Sequence, residues 1–254
     1  MPYSIMLDAG HGGVDPGAVY EGRQEKDDNL KLAMAVGKIL ADNGIDVLYT
    51  RTTDVYQTPF EKTRLANQEG VDYFISFHRN SSPQANQYNG VEVLVYDKSG
   101  VKYEMAQNIV GALGELGFRE IGVKERPGLV VLRRTKMPAL LIETGFINSD
   151  TDNRLFDDKF QEIAEAIAEA ITGTLDEETV ESPLYYRVQV GAFKNRENAD
   201  RLVYQLTDKG FPAFLLYENG LYKVQVGAFM QLGNAIRMEQ RLRDEGYSTL
   251  IVTK

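Results

Sequence analysis

The sequence predicts an α/β domain with a mostly parallel sheet and helices on both faces, followed by a small ferredoxin-like α+β domain of βαββαβ order. Three observations carry that expectation. Short, almost continuously apolar runs, such as Val71–Phe77 and Ala139–Ile142, read as strands covered on both sides. Amphipathic stretches of helical period separate them. The chain also repeats itself near its end: Tyr186-Arg-Val-Gln-Val-Gly-Ala-Phe returns as Tyr222-Lys-Val-Gln-Val-Gly-Ala-Phe, 36 residues later.

In order, Tyr3–Leu7 is the first strand. The loop with Asp15-Pro-Gly-Ala and Glu21-Gly-Arg-Gln-Glu leads into a helix over about Asp27–Asp42, where Leu30, Met34, Gly37 and Leu40/Ala41 share a face. Asp27 or Asp28 can cap its start, and Asn43-Gly44 ends it. Ile45–Tyr49 is the next strand, Phe60–Glu69 the next helix, and Val71–Phe77 a strand again. Val91–Tyr96 is strand-like, Val101–Leu116 is helical, and the strand opened by Pro138-Ala-Leu-Leu-Ile reaches Glu143. A long amphipathic helix from about Thr151 turns Leu155, Phe160, Ile163, Ile167 and Ile171 inward. The stretch 176–184 is acidic, has no basic residue and contains Pro183, and reads as a linker. The expected domains are therefore 1–175 and 185–254. In the second, the repeat keeps register without a gap, with Leu206 against Leu242 and Gly210-Phe211 against Gly246-Tyr247. Two copies of strand–helix–strand are too few for a solenoid and predict a closed small domain.

At 254 residues, 43% hydrophobic and 26% charged, the composition is that of a globular protein. No apolar run approaches the roughly 20 residues of a membrane span. The opening Met-Pro-Tyr-Ser-Ile lacks a basic region and a long apolar core, so no signal peptide is expected. Cysteine is absent, which excludes disulfides, thiolate metal sites and cysteine nucleophiles. The net charge of −9 argues against general nucleic-acid binding. Residues 185–254 hold 10 Lys+Arg against 7 Asp+Glu, and residues 1–184 hold 18 against 30. That asymmetry suggests two units with separate jobs.

The chain holds two histidines, His11 and His78, and each stands at the carboxyl end of an apolar strand run. Ligands of open α/β sheets collect at such ends. A catalytic zinc takes three protein ligands and keeps a position open for water. With no cysteine or further histidine, the third ligand must be a carboxylate. Glu25, just before the first helix, is the best candidate. Glu143 ends a buried strand, where a lone carboxylate has no reason to face the core unless it is paired or working. Blander roles stay open. The histidines serve equally as hydrogen-bonded structural residues, Glu25 as a helix-start carboxylate, and Glu143 as an acceptor of backbone amides. Residues alone lead to a metal hydrolase of undefined substrate.

The motifs add a resemblance. Asp8-Ala-Gly-His-Gly-Gly, Asp15-Pro-Gly-Ala, Gln24-Glu-Lys, Arg64 with Ala66-Asn67, Phe74-Ile-Ser-Phe-His-Arg-Asn, Val131-Leu-Arg and Pro138-Ala-Leu-Leu-Ile-Glu-Thr-Gly-Phe-Ile-Asn resemble, in order, the zinc-dependent N-acetylmuramoyl-L-alanine amidases. The match runs from about residue 3 to 174. It implies Zn2+ on His11, Glu25 and His78, a catalytic Glu143, and structural or substrate-positioning roles for Asn80 and Arg64. Asp8, near His11 in sequence, is a candidate to orient that histidine. Two positions depart from the family pattern. Arg23 stands where an apolar residue is usual, and Arg79 where a small one is, so that Arg79 either reaches an anionic stem peptide in the cleft or pairs with a surface carboxylate.

The repeat resembles a tandem SPOR domain, which implies peptidoglycan binding, commonly to glycan strands stripped of peptides. Strand alternation turns Val188, Val190, Val224 and Val226 toward the helices and leaves Arg187, Gln189, Lys223 and Gln225 on the open face, suited to sugar or simply to solvent. The combined expectation is a monomeric peptidoglycan hydrolase that cuts the amide between N-acetylmuramic acid and L-alanine. Without a leader it would reach the wall when the producing cell lyses, as the mother-cell lysis amidases of spore formers that it resembles do, or after release as a phage endolysin. A non-catalytic wall-binding protein on the same fold, or another metal peptidase, are the competing expectations. No insertion that would plug the cleft is evident, so an open site is expected.

Overall fold

A computed structural model describes residues 3–180, 185–229 and 231–253. The chain divides into two compact units, Met1–Val180 and Glu181–Lys254.

The first unit runs β1 (Ser4–Ala9), β2 (Val19–Tyr20), β3 (Arg23–Gln24), α1 (Glu25–Asp42), β4 (Asp46–Tyr49), α2 (Pro59–Glu69), β5 (Tyr73–Asn80), β6 (Val91–Val95), α3 (Gly100–Glu115), β7 (Glu120–Glu125), α4 (Val130–Arg133), β8 (Ala139–Phe146), α5 (Asp150–Asp158) and α6 (Phe160–Val180). Among the described residues its main sheet has the order β4-β1-β5-β8-β6-β7. Strands β4, β1, β5 and β8 are parallel, and β6 enters antiparallel to β8 with β7 parallel to it. The expected mostly parallel sheet is present. Alternation divides each strand between two cores. Ile5, Leu7, Ile75, Phe77, Val93 and Ile142 pack with Val36, Ile109 and Ile167 of α1, α3 and α6. Met6, Phe74, Leu94 and Leu141 pack with Ala66 and Leu132 of α2 and α4. Both faces are covered, so the strands read as almost continuous apolar runs.

Local sequence sets the helix ends. Thr58 and Glu61 form a reciprocal capping box at α2, Pro59 occupies its first turn, and Gly70 closes it in the left-handed region at φ 67°. The helix expected from Thr151 is broken at Lys159, which has φ −119° and ψ 28°. The break brings Phe156 and Phe160 edge to face at 5.6 Å, and Lys159 Nζ donates to the Leu116 carbonyl at 2.9 Å. The acidic stretch also differs from expectation. Helix α6 continues to Val180, through the first half of the expected linker. Charge marked that stretch, but Glu is a good helix former and no proline intervenes before Pro183, which lies outside the described residues.

The second unit runs β9 (Tyr186–Phe193), α7 (Arg196–Asp208), β10 (Ala213–Glu218), β11 (Leu221–Phe229), α8 (Leu232–Asp244) and β12 (Leu250–Thr253). Its antiparallel sheet has the order β10-β11-β9-β12, the expected ferredoxin-like arrangement, with the two repeated strands side by side at its centre. Val188, Val224 and Val226 bury one face against Ala199, Leu206, Ala235 and Leu242 of the helices.

Candidate metal centre

Three elements of the first unit deliver His11, Glu25 and His78 to one place. His11 follows the end of β1, Glu25 opens α1, and His78 lies near the end of the neighbouring strand β5. One ligand atom from each lies within 4.8 Å of the others. The Glu25 carboxylate sits between the rings, with Oε2 at 3.1 Å from His11 Nε2 and Oε1 at 2.8 Å from His78 Nδ1. The Ala18 amide, the Asn29 side chain and the Arg79 amide also donate to it. Burial favours the neutral acid, but the two histidines prevail and hold Glu25 far below the usual carboxylate range. Burial likewise opposes charge on His11, and Glu25 and Asp15 overcome it, raising its pKa to about 9.

Glycines make the approach possible. A Cβ on Gly10 would fall 2.3 Å from the His78 ring, and one on Gly17 would fall 2.6 Å from both Glu25 Oε2 and His11 Cδ2. His11 itself has φ 60°, a left-handed backbone that side-chain-bearing residues seldom adopt. The surroundings over-determine it. Buried Arg51 donates to the carbonyls of Ala9, Gly10, Thr53 and Lys26. Lys62 Nζ donates to the Ala9 carbonyl at 2.8 Å, and Asn29 to that of Gly10.

Asp8 does not orient His11. Its side chain leaves β1 on the α2 side, where it is buried and takes bonds from Lys62, Thr50 and Ser76 at 2.8, 2.7 and 2.6 Å. Burial would raise its pKa, and Lys62 with the two hydroxyls brings it below the ordinary value. Asp15 is the carboxylate on His11, with Oδ2 2.9 Å from Nδ1. That bond leaves Nε2 to face Glu25.

Glu143 lies beside His78 in the β5–β8 ladder, on the same face by alternation. Its Oε2 is buried without a hydrogen-bond partner. Burial pushes its pKa up to about 7; Glu25 and Glu92 reinforce the rise, and His78 and His11 oppose it. Glu92 is its partner across β6–β8, held by Asn80 Nδ2 at 2.8 Å and Lys124 Nζ at 2.5 Å. Asn80 therefore stands next to the cluster. Arg64 is exposed on α2, and no bond joins it to these groups. Arg79 is neither in the cleft nor on the surface. It follows His78 and so points through the opposite face, 2% exposed, onto Asp28 at 2.6 Å. The period-two rule applied to His78 would have placed it there. Arg51 and Lys62 were missed; a lysine four residues before Ala66 on the inward face of α2 was the available signal.

In the second unit, Arg187, Gln189, Lys223 and Gln225 all line one cavity of about 250 Å³ on the open sheet face. Lys223 pairs with Glu218 at 2.6 Å. Arg187 Nε and Gln225 Oε1 are buried without partners, and Gln225 is only 4% exposed.

Comparison with known proteins adds to this geometry. Residues 5–173 match the N-acetylmuramoyl-L-alanine amidase family model, and residues 182–253 match the SPOR domain. The sporulation-specific N-acetylmuramoyl-L-alanine amidase of Bacillus subtilis (strain 168) is 36% identical over 221 residues, which is 85% of either chain. The endolysin of Bacillus phage SPP1 is 36% identical over 182 residues, 68% of this chain and 66% of that one. Among solved structures, the N-acetylmuramoyl-L-alanine amidase of Clostridium difficile 630 superposes with a TM-score of 0.65 at 31% identity, covering 70% of this chain and 98% of that one.

Proposed function

The chain belongs to the N-acetylmuramoyl-L-alanine amidase family, and from that premise we propose that it cuts the amide between N-acetylmuramic acid and the L-alanine of the stem peptide with a zinc ion on His11, Glu25 and His78 and with Glu143 as proton carrier. The observation that carries the zinc assignment is the convergence of two imidazole nitrogens and one carboxylate within 4.8 Å, from three separate elements. That donor set, with no thiolate in the chain, is the kind a hydrolytic zinc site uses.

A zinc ion held there would polarise the scissile carbonyl and lower the pKa of a water. The protein's own groups supply the rest. Asp15 fixes the His11 ring so that Nε2 faces the centre. Glu143 takes a proton from the attacking water and returns it to the amine of L-alanine as the C–N bond breaks. A carboxyl with a pKa of about 7 and one unpartnered oxygen suits both transfers.

The chain acts on the cell wall. No helix of the described residues is long and apolar enough to cross a membrane. On the proposed domain plan, residues 1–175 cut and residues 185–254 hold glycan on the face of Arg187, Gln189, Lys223 and Gln225. The shared cavity of those four side chains supports this. Tethering raises the local concentration of substrate without altering the chemistry. The protein works as a monomer. A relative matched over both units is sporulation-specific, which favours action on the wall as the mother cell lyses.

The test pairs metal analysis with muropeptide analysis of digested wall, with and without chelator. About one zinc per chain is expected. Stem peptides with a free alanine amino terminus should appear only without chelator. Wall that is bound but uncut by a metal-free chain would refute the zinc assignment, and cleavage that survives the chelator would refute its role.

A further inference from the structure

We propose that Arg79 and Asp28 form a positioning clamp for the metal centre, fixing the strand that carries His78 against the helix that opens with Glu25. The proposal rests on the zinc assignment above. Arg79 is buried on the face of the sheet opposite His78. Its Nη1 donates to Asp28 Oδ2 at 2.6 Å, and its Nη2 to Asn153 Oδ1 at 2.8 Å. Asp28 stands one turn beyond Glu25 on α1. The same Asp28 oxygen accepts from Arg23 Nε at 2.7 Å, and Arg23 continues to Asp157 through both terminal nitrogens at 2.9 and 2.8 Å. The Phe156 ring lies against both cations, 4.2 Å from the Arg79 guanidinium carbon and 5.1 Å from that of Arg23. One buried carboxylate thus joins β5, α1 and, through the two arginines, α5.

An ordinary core would fill this space with apolar side chains. A guanidinium is costly to bury, and Arg79 Nε has no partner to offset it. What the arrangement secures is geometry. The Arg79 amide donates to Glu25 Oε1 at 3.1 Å, so one residue touches the ligand carboxylate with its backbone and the ligand's helix with its side chain. A shift of β5 along α1 would move His78 away from Glu25, and Asp28–Arg79 resists that shift. Neither residue touches substrate.

The experiment is a competitive zinc titration against a chromophoric chelator, on the full chain, with unfolding of the metal-free protein measured in parallel. Arg79→Met keeps the volume and leaves Asp28 paired with Arg23, so the fold is expected to survive; Asp28→Asn is the second variant should it not. Each should weaken zinc binding by about 10- to 100-fold, the range for loss of a supporting partner. The double variant should be no weaker than the weaker single one. Arg79→Lys, which still pairs with Asp28, should recover part of the affinity. A purely structural role would lower the stability of the metal-free protein and leave zinc affinity unchanged within twofold, and that result would overturn the proposal. Failure of the wild-type chain to bind zinc shows in the same titration and defeats the zinc assignment instead.

Discussion

Burial brings the Glu143 carboxyl near neutrality and leaves one of its oxygens free to exchange a proton. Glu143→Gln should therefore keep zinc and lose about 10²- to 10⁴-fold in kcat, measured on soluble muropeptide. His11→Ala or His78→Ala should lose both metal and turnover. Asp8 is a different case, because its folded pKa lies below the unfolded value. Its contribution to stability is complete above the ordinary carboxylate range and is lost as pH falls through the lowered folded pKa. Asp8→Ala strands the Lys62 ammonium, itself 4% exposed, and should cost about 3–5 kcal/mol near neutral pH. Urea unfolding at pH 7 and in acid measures both effects: the gap between wild type and variant should narrow in acid. His11, His78 and Glu143 were legible in sequence because a histidine or glutamate ending an apolar strand run stands out, and Glu25 because, with no cysteine or third histidine, a carboxylate had to complete the set. Their supports were not. Asp8, Asp15, Arg51 and Lys62 carry ordinary charges, and only the fold decides which carbonyl or carboxylate each one meets.

Among the elements, β5 and β8 were legible because both of their faces are buried and the runs before His78 and Glu143 are almost wholly apolar, with Ser76 the one polar residue. Strand β7 was not. It lies at the sheet edge, its side chains are mostly half-buried, and Gly122 interrupts it at φ 99°. The break between α5 and α6 was hidden for another reason: the apolar period persists across Lys159, and tertiary contacts place the kink. The end of β1 is a tight junction, since Gly10 lies against the His78 ring. Gly10→Ala should displace that ring and lower zinc affinity by at least tenfold in the chelator titration. Unchanged affinity would mean that β1 and β5 separate more easily than their packing implies.

On the scale of the whole chain, the two units carry charge of opposite sign and separate cores. The division was visible in the repeat and in the charge asymmetry. The extent of α6 was not, because an acidic stretch is equally compatible with helix and with linker. If the open sheet face of the second unit holds glycan, Arg187→Ala combined with Gln225→Ala should weaken retention on purified wall by about tenfold. Hydrolysis of a soluble muropeptide should stay unchanged, because tethering alters encounter and not chemistry. Equal loss on both substrates would assign those side chains to folding.

The left-handed backbone at His11 sets function against durability. A residue with a Cβ gives up about 1–2 kcal/mol in that conformation, and glycine gives up almost none. His11→Gly should thus regain in the metal-free chain part of what it loses in bonds to Asp15 and Glu25, while binding zinc far more weakly. Selection for folding alone would discard the histidine that the proposed zinc site needs. Denaturant midpoints of the two metal-free proteins, close together despite the lost contacts, would measure how much stability the chain forgoes to keep an imidazole at that turn.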